Sequence, residues 1–358
     1  MKKVISAFMV LALAVLQVLS FASCKATEKT KYVNYYFSYF DTATTITAYC
    51  ETEAEFKSLC DEVTALLEEY HRLYTIYNRY ENLNNLVTIN DVTDGAHSVV
   101  KVDQKIIDML TFAKEMYVAT DGKVNIAMGS VLSIWHIYRN EGINDPASAQ
   151  LPPMDKLNEA AKHTDINNLI IDDENNTVFI SDPLMKLDVG AIAKGYAVEQ
   201  ICRHLEESGK TDILLNVGGN VRTIGNAGDE SSPWKAGIEN PDTADEENPF
   251  IEYLELSGET IVTSGSYQRF YVVNGKEFHH IIDPETLMPG TKYKSVSVIT
   301  NDSGLGDAFS TALFLMDYEQ GKKLVEETDN VEAMWVLPDG EQAYSSGFHN
   351  YTFEYETK

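Results

Sequence analysis

The chain has 358 residues, 44% of them hydrophobic, with 55 acidic against 28 basic residues and a formal net charge of −27. That length and mix can fill a substantial core, which excludes disorder of the whole chain. The acidic balance excludes the electrostatic footprint of a nucleic-acid binder, so a bound nucleotide needs local compensation from a metal ion or backbone amides.

Met1-Lys2-Lys3 is positively charged, and an almost uninterrupted apolar run follows from Val4 to Leu19, ending in the small residues Ala22 and Ser23 before Cys24. This is the pattern of an export signal. The run falls short of the ~20 residues that span a bilayer, and charged residues follow from Lys25 onward, so a transmembrane helix is not expected. Residues 19–24 (LSFASC) resemble a bacterial lipobox, which implies acylation of Cys24 as the first mature residue. Phe21 stands where a smaller aliphatic residue is commoner, and ordinary secretion stays open. Cys50, Cys60 and Cys202 are odd in number and show no CxxC spacing, which suggests neither a disulfide framework nor a zinc site. The expected division is a signal peptide over 1–23, a tether over 24–36, and one domain over 37–358.

The segment Tyr35 to Tyr49 carries β-branched residues in near alternation and reads as the first strand. Glu53 to Tyr74 and Asp103 to Ala119 place apolar residues at helical spacing. Beyond Asp145-Pro146 short strands are expected at Asn168 to Ile180, Asp212 to Val217, Trp234 to Ile238, Phe250 to Leu256 and Thr260 to Thr263. Helices intervene at Ile192 to Ser208 and Leu305 to Met316. Helices and strands do not alternate regularly, so the expected class is α+β, with mixed sheets and flanking helices. The acidic stretch Asp242 to Asn248 reads as a solvated loop.

Three segments carry chemistry. In Leu187 to Ala197 (LDVGAIAKGYA) a strand runs through a glycine turn into a helix, which either packs tightly or offers free helix amides and Lys194 to an anion. On the helix at Gly306 to Leu313, Asp307 and Thr311 stand four apart on one face. They form either a magnesium-type oxygen site or an N-cap beside an ordinary threonine. In Phe278 to Gly290 (FHHIIDPETLMPG), His280 can take a proton near neutrality and Asp283 can orient it or support the proline turn, although a strand histidine can equally be structural. The stretch Val262 to Tyr267 (VTSGSY) lacks the serine-hydrolase elbow, and close backbone approach is the better reading. Gly218-Gly219 allows either close approach to a ligand or a hairpin turn.

Taken in order, DVGAIAKGYA from Asp188, NVGG from Asn216, TSGSY from Thr263, HIIDP from His280 and DAFSTA from Asp307 resemble the ApbE family of FAD:protein FMN transferases. The resemblance extends to FDT from Phe40, YNRY from Tyr77, and residues 120–135, and so covers about 37–337. It implies an ApbE-like, T-fold-related architecture that takes FAD as substrate. It also implies Mg²⁺ held by the Ala191 carbonyl, Asp307 and Thr311. Phe40, Tyr77, Lys123, Val124, Asn125, Asp188, Lys194, Ser264, Gly265, His280 and Ile281 are the implied FAD contacts. The family often has Gly-Ala-Phe-Asp at residues 122–125 and Met-Gly-Thr at 40–42. Asn125 in place of aspartate removes a charge from the implied flavin pocket, while its carboxamide can still hydrogen-bond a flavin edge.

The reaction so implied is attack by a threonine or serine hydroxyl on the FMN-side phosphorus of FAD, with release of AMP. His280 would take the hydroxyl proton. The acceptors implied are exported or membrane-bound redox proteins, reached from a lipid-anchored position outside the cytoplasm. With water as nucleophile the same site would be an FAD pyrophosphatase, and without catalysis a flavin-binding lipoprotein.

Overall fold

The computed structural model describes residues 29–229 and 231–355; the expected export signal and Cys24 lie outside them. Its centre is an eight-stranded sheet whose strands follow one another in chain order. They are β1 (Thr30–Tyr39), β2 (Thr42–Cys50), β3 (Ile213–Val217), β4 (Asn220–Ile224), β5 (Thr260–Gly265), β6 (Ser295–Thr300), β7 (Glu332–Val336) and β8 (Gln342–Tyr344). Every adjacent pair is antiparallel. Helices enter as insertions between strands rather than as parallel crossovers, which gives the α+β class.

The main helices are α1 (Glu53–Tyr74), α2 (Gln104–Ala119), α3 (Gly129–Asn144), α4 (Ala193–Glu207) and α5 (Ser303–Leu315). Local signals fix their starts: the Thr52 side chain accepts from the Glu55 amide, Asp103 from Lys105, and Asp302 from Leu305. Helices α1, α4 and α5 cover one face of the sheet. There Leu67, Phe309 and Phe314 are fully buried, and each contributes roughly 1.5–3 kcal/mol of apolar burial. Alternation then sends Val296 and Val298 of β6 toward the helices and Ile299 to the opposite face. On that face Ile238, Leu254 and Leu256 of a hairpin (Trp234–Glu239 with Phe250–Leu256) cover the sheet.

A second, smaller core joins α3 to the hairpin Phe270–Val273/Lys276–His279 and the turn after it. Val131 and Trp135 of α3 meet Tyr271, Phe278, Ile282 and Leu287, and the Trp135 indole N–H donates to the Leu287 carbonyl at 3.0 Å. This unit stands against one end of the main sheet. Register brings the start of β2, the end of β3, the start of β4 and the end of β5 to that same end, since Thr44 pairs with Val217, Val217 with Asn220, and Asn220 with Val262.

Several expectations need correction. The segment expected as one strand from Tyr35 is two strands, the first of which runs from Thr30, so the last residues of the expected tether belong to β1. The break has no glycine or proline; Phe40 and Asp41 make it by both adopting φ 52°. Asn168 to Ile180 is a hairpin (Leu169–Asp172 with Thr177–Ile180) rather than one strand. The segment before the 190 turn is extended but forms only an isolated bridge, Met128 to Lys186, and α4 begins at Ala193.

Candidate functional site

A cavity of about 670 Å³ opens at the sheet end just described. Its walls come from the start of β2, the β3–β4 turn, the end of β5, the 188–194 turn, α5, and the α3–hairpin unit. Of the residues expected at the site, Tyr77, Lys123, Val124, Asn125, Asp188, Ala191, Lys194, Ser264, Gly265, His280, Ile281, Asp307 and Thr311 all line it. Phe40 does not. Its ring packs edge-on to His71 at 5.6 Å and its amide donates to His71 Nδ1, while its neighbours Asp41 and Thr42 face the cavity.

The 190 turn and α5 meet through Asp307, which is 4% exposed. Its Oδ2 accepts from the Gly195 amide at 2.9 Å, and its Oδ1 lies 3.5 Å from Lys194 Nζ. Asp302 is the cap of α5, so Asp307 is free of that task and serves the start of α4 instead. The contact requires glycine at 195, where a Cβ would sit 2.2 Å from the Ser303 carbonyl and 2.4 Å from Asp307 Cβ. Ser264 Oγ, at the end of β5, is 3.3 Å from Thr311 Oγ1 and 2.9 Å from Ser310 Oγ. Asp307, Thr311, Ser264 and Ala191 all line the cavity, and a carboxylate, hydroxyls and a backbone carbonyl are the all-oxygen donor chemistry that suits magnesium. Among the described residues no cluster of three His, Cys, Asp or Glu side chains could hold a softer metal.

The two adjacent histidines take different roles. His279 is buried, donates Nε2–H to the Gly290 carbonyl at 2.6 Å and accepts the Ile281 amide at Nδ1, so it is structural. His280 donates Nδ1–H to the Arg269 carbonyl at 3.3 Å, which leaves the Nε2 lone pair unengaged among the described residues. Burial first, then the guanidinium of Arg269, the adjacent His279 ring, which disfavours a second imidazolium beside it, and Arg139 push its pKa down to about 3 and keep the ring neutral.

Asp283 does not orient His280. It is buried against Lys123, whose ammonium lies 3.3 Å from Asp283 and 2.8 Å from Glu285. It also accepts from the Glu285 amide, which is the turn-supporting role. Burial alone would lower the Lys123 pKa, but Glu285 and Asp283 outweigh it and hold it above the usual value. Asn125 donates to the Thr164 carbonyl and accepts from the Ala127 amide, both at 2.9 Å. An aspartate could not make the first bond, which accounts physically for the carboxamide here.

Sequence reasoning missed His136, Arg139 and Arg269, all of which line the cavity. His136 Nε2 is 3.8 Å from Asp188 Oδ2, and Tyr77 Oη is 3.4 Å from its Nδ1. Met128, Leu132, His136 and Arg139 form one cavity-facing stripe, continued by spacings of four, four and three. That stripe was the available signal for the first two; Arg269 has none.

An α+β scaffold with a cavity of this size, lined by cationic and oxygen-bearing side chains, is suited to an anionic ligand. The ApbE family model matches residues 40–335. An FAD:protein FMN transferase of Klebsiella pneumoniae (strain 342) is 30% identical over 292 residues, covering 81% of this chain and 85% of its own length. Another from Treponema pallidum (strain Nichols) is 28% identical over 307 residues, covering 82% and 81%. The crystal structure of the ApbE protein of Thermotoga maritima MSB8 superposes with a TM-score of 0.77 at 26% identity, over 91% of this chain and 100% of its own. The flavin transferase ApbE of Vibrio cholerae shares the fold, with a TM-score of 0.72 at 23% identity over 90% and 99%. The chain belongs to the ApbE family and is a transferase.

Proposed function

We propose that the protein transfers FMN from FAD to a threonine or serine hydroxyl of an acceptor protein, releasing AMP. The observation that carries this reading is the meeting of the Asp307–Thr311 oxygen pair, Lys194 and a neutral His280 in one cavity. The acceptor oxygen attacks the FMN-side phosphorus, a new phosphoester bond forms, and the bridging P–O bond breaks so that AMP departs with its phosphate. His280 Nε2 takes the hydroxyl proton, and the Arg269 carbonyl fixes the tautomer that makes this nitrogen the acceptor. Lys194 balances charge beside Asp307. Mg²⁺, held by the Ala191 carbonyl, Asp307 and Thr311, would supply neutralisation of the pyrophosphate's developing charge.

The export signal and lipobox-like Cys24 support a location outside the cytoplasm on a lipid anchor. Exported or membrane-bound redox proteins are the acceptors that such a location offers.

The test incubates the purified protein with FAD, Mg²⁺ and a flavin-acceptor domain, and reads acceptor mass and nucleotide products together. The expected result is acceptor heavier by one FMN with equimolar AMP, reduced by at least about a hundredfold in Asp307→Ala. Free FMN and AMP without acceptor labelling would replace transfer by hydrolysis, and intact bound FAD would leave binding alone.

A further inference from the structure

Four permanent cations line the cavity: Lys123, Arg139, Lys194 and Arg269. Two are matched to carboxylates, Lys123 to Asp283 and Glu285, and Lys194 to Asp307. The two arginines are not. Arg139 is half-buried on α3 and makes no hydrogen bond or ion pair with any described residue. Arg269 donates only to a backbone carbonyl, that of Asp41, at 3.2 Å.

A guanidinium carries five N–H donors and stays charged in proteins, so withdrawing the half-buried Arg139 from water without a hydrogen-bonding partner is costly, while the exposed Arg269 adds like charge beside it. The cost is visible in the neighbours. Burial, with Arg269 adding to it and Tyr77 and Asp188 offsetting it only in part, holds Arg139 below the usual arginine range. Burial also lowers His136, with Arg139 and Arg269 contributing. Two mutually repelling arginines line the same cavity without a carboxylate in hydrogen-bonding or ion-pair contact, Asp188 and Tyr77 acting on Arg139 only at longer range, and in a chain of net charge −27 such a pair is suited to an anion.

We propose that Arg139 and Arg269 form a phosphate-binding site that takes a phosphate group of the bound dinucleotide. This deepens the FAD reading and rests on it for the identity of the ligand. Phosphate suits the pair because two arginine forks can each present parallel N–H donors to its oxygens, which a lysine cannot do.

The experiment measures binding of FAD, FMN, riboflavin and inorganic pyrophosphate to the purified protein by calorimetry. It compares the wild type with Arg139→Gln, Arg269→Gln and Arg139→Lys, each first checked by thermal denaturation. Because Arg269 is exposed, Arg269→Gln keeps the test available if Arg139→Gln does not fold. The expected result is a loss of about tenfold or more for FAD, FMN and pyrophosphate in either glutamine variant, with riboflavin unchanged and Arg139→Lys recovering part of the loss. Unchanged FAD and pyrophosphate affinities, or an equal loss for riboflavin, would overturn the site. Wild-type protein that binds pyrophosphate through these arginines but takes no FAD would keep the anion site and remove the transferase reading. Normal FAD binding insensitive to both arginines would do the reverse.

Discussion

At the scale of the residue, His280 shows how an environment selects a role. A neutral ring with Nδ1–H donated to a carbonyl is a base in the correct tautomer, and a protonated ring is not. Because its pKa is held at about 3, the ring remains neutral across the whole physiological range. The sign follows directly: a base with a lowered pKa loses activity only as pH falls through that low value, so kcat/KM should show no histidine limb between about pH 5 and 8. Arg269→Gln removes one of the charges that lowers the pKa, and the acid limb should move upward in pH while the plateau falls. A pH–rate profile of that variant with an unchanged acid limb would show that Arg269 does not set the ionisation of His280. Asp283 teaches the complementary point. Three residues from His280 in sequence, it turns instead toward Lys123, because a buried ammonium needs a carboxylate more than a neutral imidazole does.

At the scale of the element, α4 and α5 are held together by a contact that only glycine permits. Alanine at 195 would drive a methyl group into the Ser303 carbonyl and Asp307 Cβ, and these are backbone and helix-stem atoms with little freedom to yield. Gly195→Ala should therefore destabilise the protein by about 1–3 kcal/mol as overpacking does. It should also lower transfer activity more than folded fraction, since the Gly195 amide that Asp307 accepts would be displaced. Denaturant unfolding together with an activity assay at full folding separates the two effects.

The elements that were legible in the sequence share a cause. Helices α1 and α2 have one buried stripe and side-chain-capped starts, α4 has apolar helical spacing after its glycine turn, α5 is a capped helix buried nearly all round, and the motif turns have fixed residue chemistry. Strand β6 was not legible because it is buried on both faces, with Ser295 and Ser297 placed where a solvated strand would show polar exposure. Helix α3 was illegible because one side packs on the second core and the other lines the cavity, so His136 and Arg139 interrupt its apolar pattern. Arg269 carried no signal at all, since it is the fold that brings it to the cavity beside α3.

At the scale of the whole molecule, the strand nearest the expected lipid anchor is also part of the sheet that forms the site. Strand β1 pairs with β2 from Thr30 opposite Cys50 to Tyr36 opposite Thr44, and ends at the turn where Asp41 receives Arg269. Tyr32 stacks on Phe56 of α1 with ring centroids 5.3 Å apart, and Tyr36 packs against the main core. Lys29 pairs with Asp212 before β3. A cut at the boundary expected from sequence, leaving residues 37–358, would remove most of β1. The half-buried Tyr32 and Tyr36 alone account for roughly 2 kcal/mol of apolar burial, and the bared edge of β2 would become a template for pairing with other chains. Against a total stability of about 5–15 kcal/mol, that loss should lower the melting temperature by several degrees and promote aggregation. A chain beginning at residue 29 retains the strand and should melt with the mature protein. Equal melting of all three forms would mean that β1 is an appendage, and that its link to the Asp41 wall of the cavity is mechanical rather than energetic.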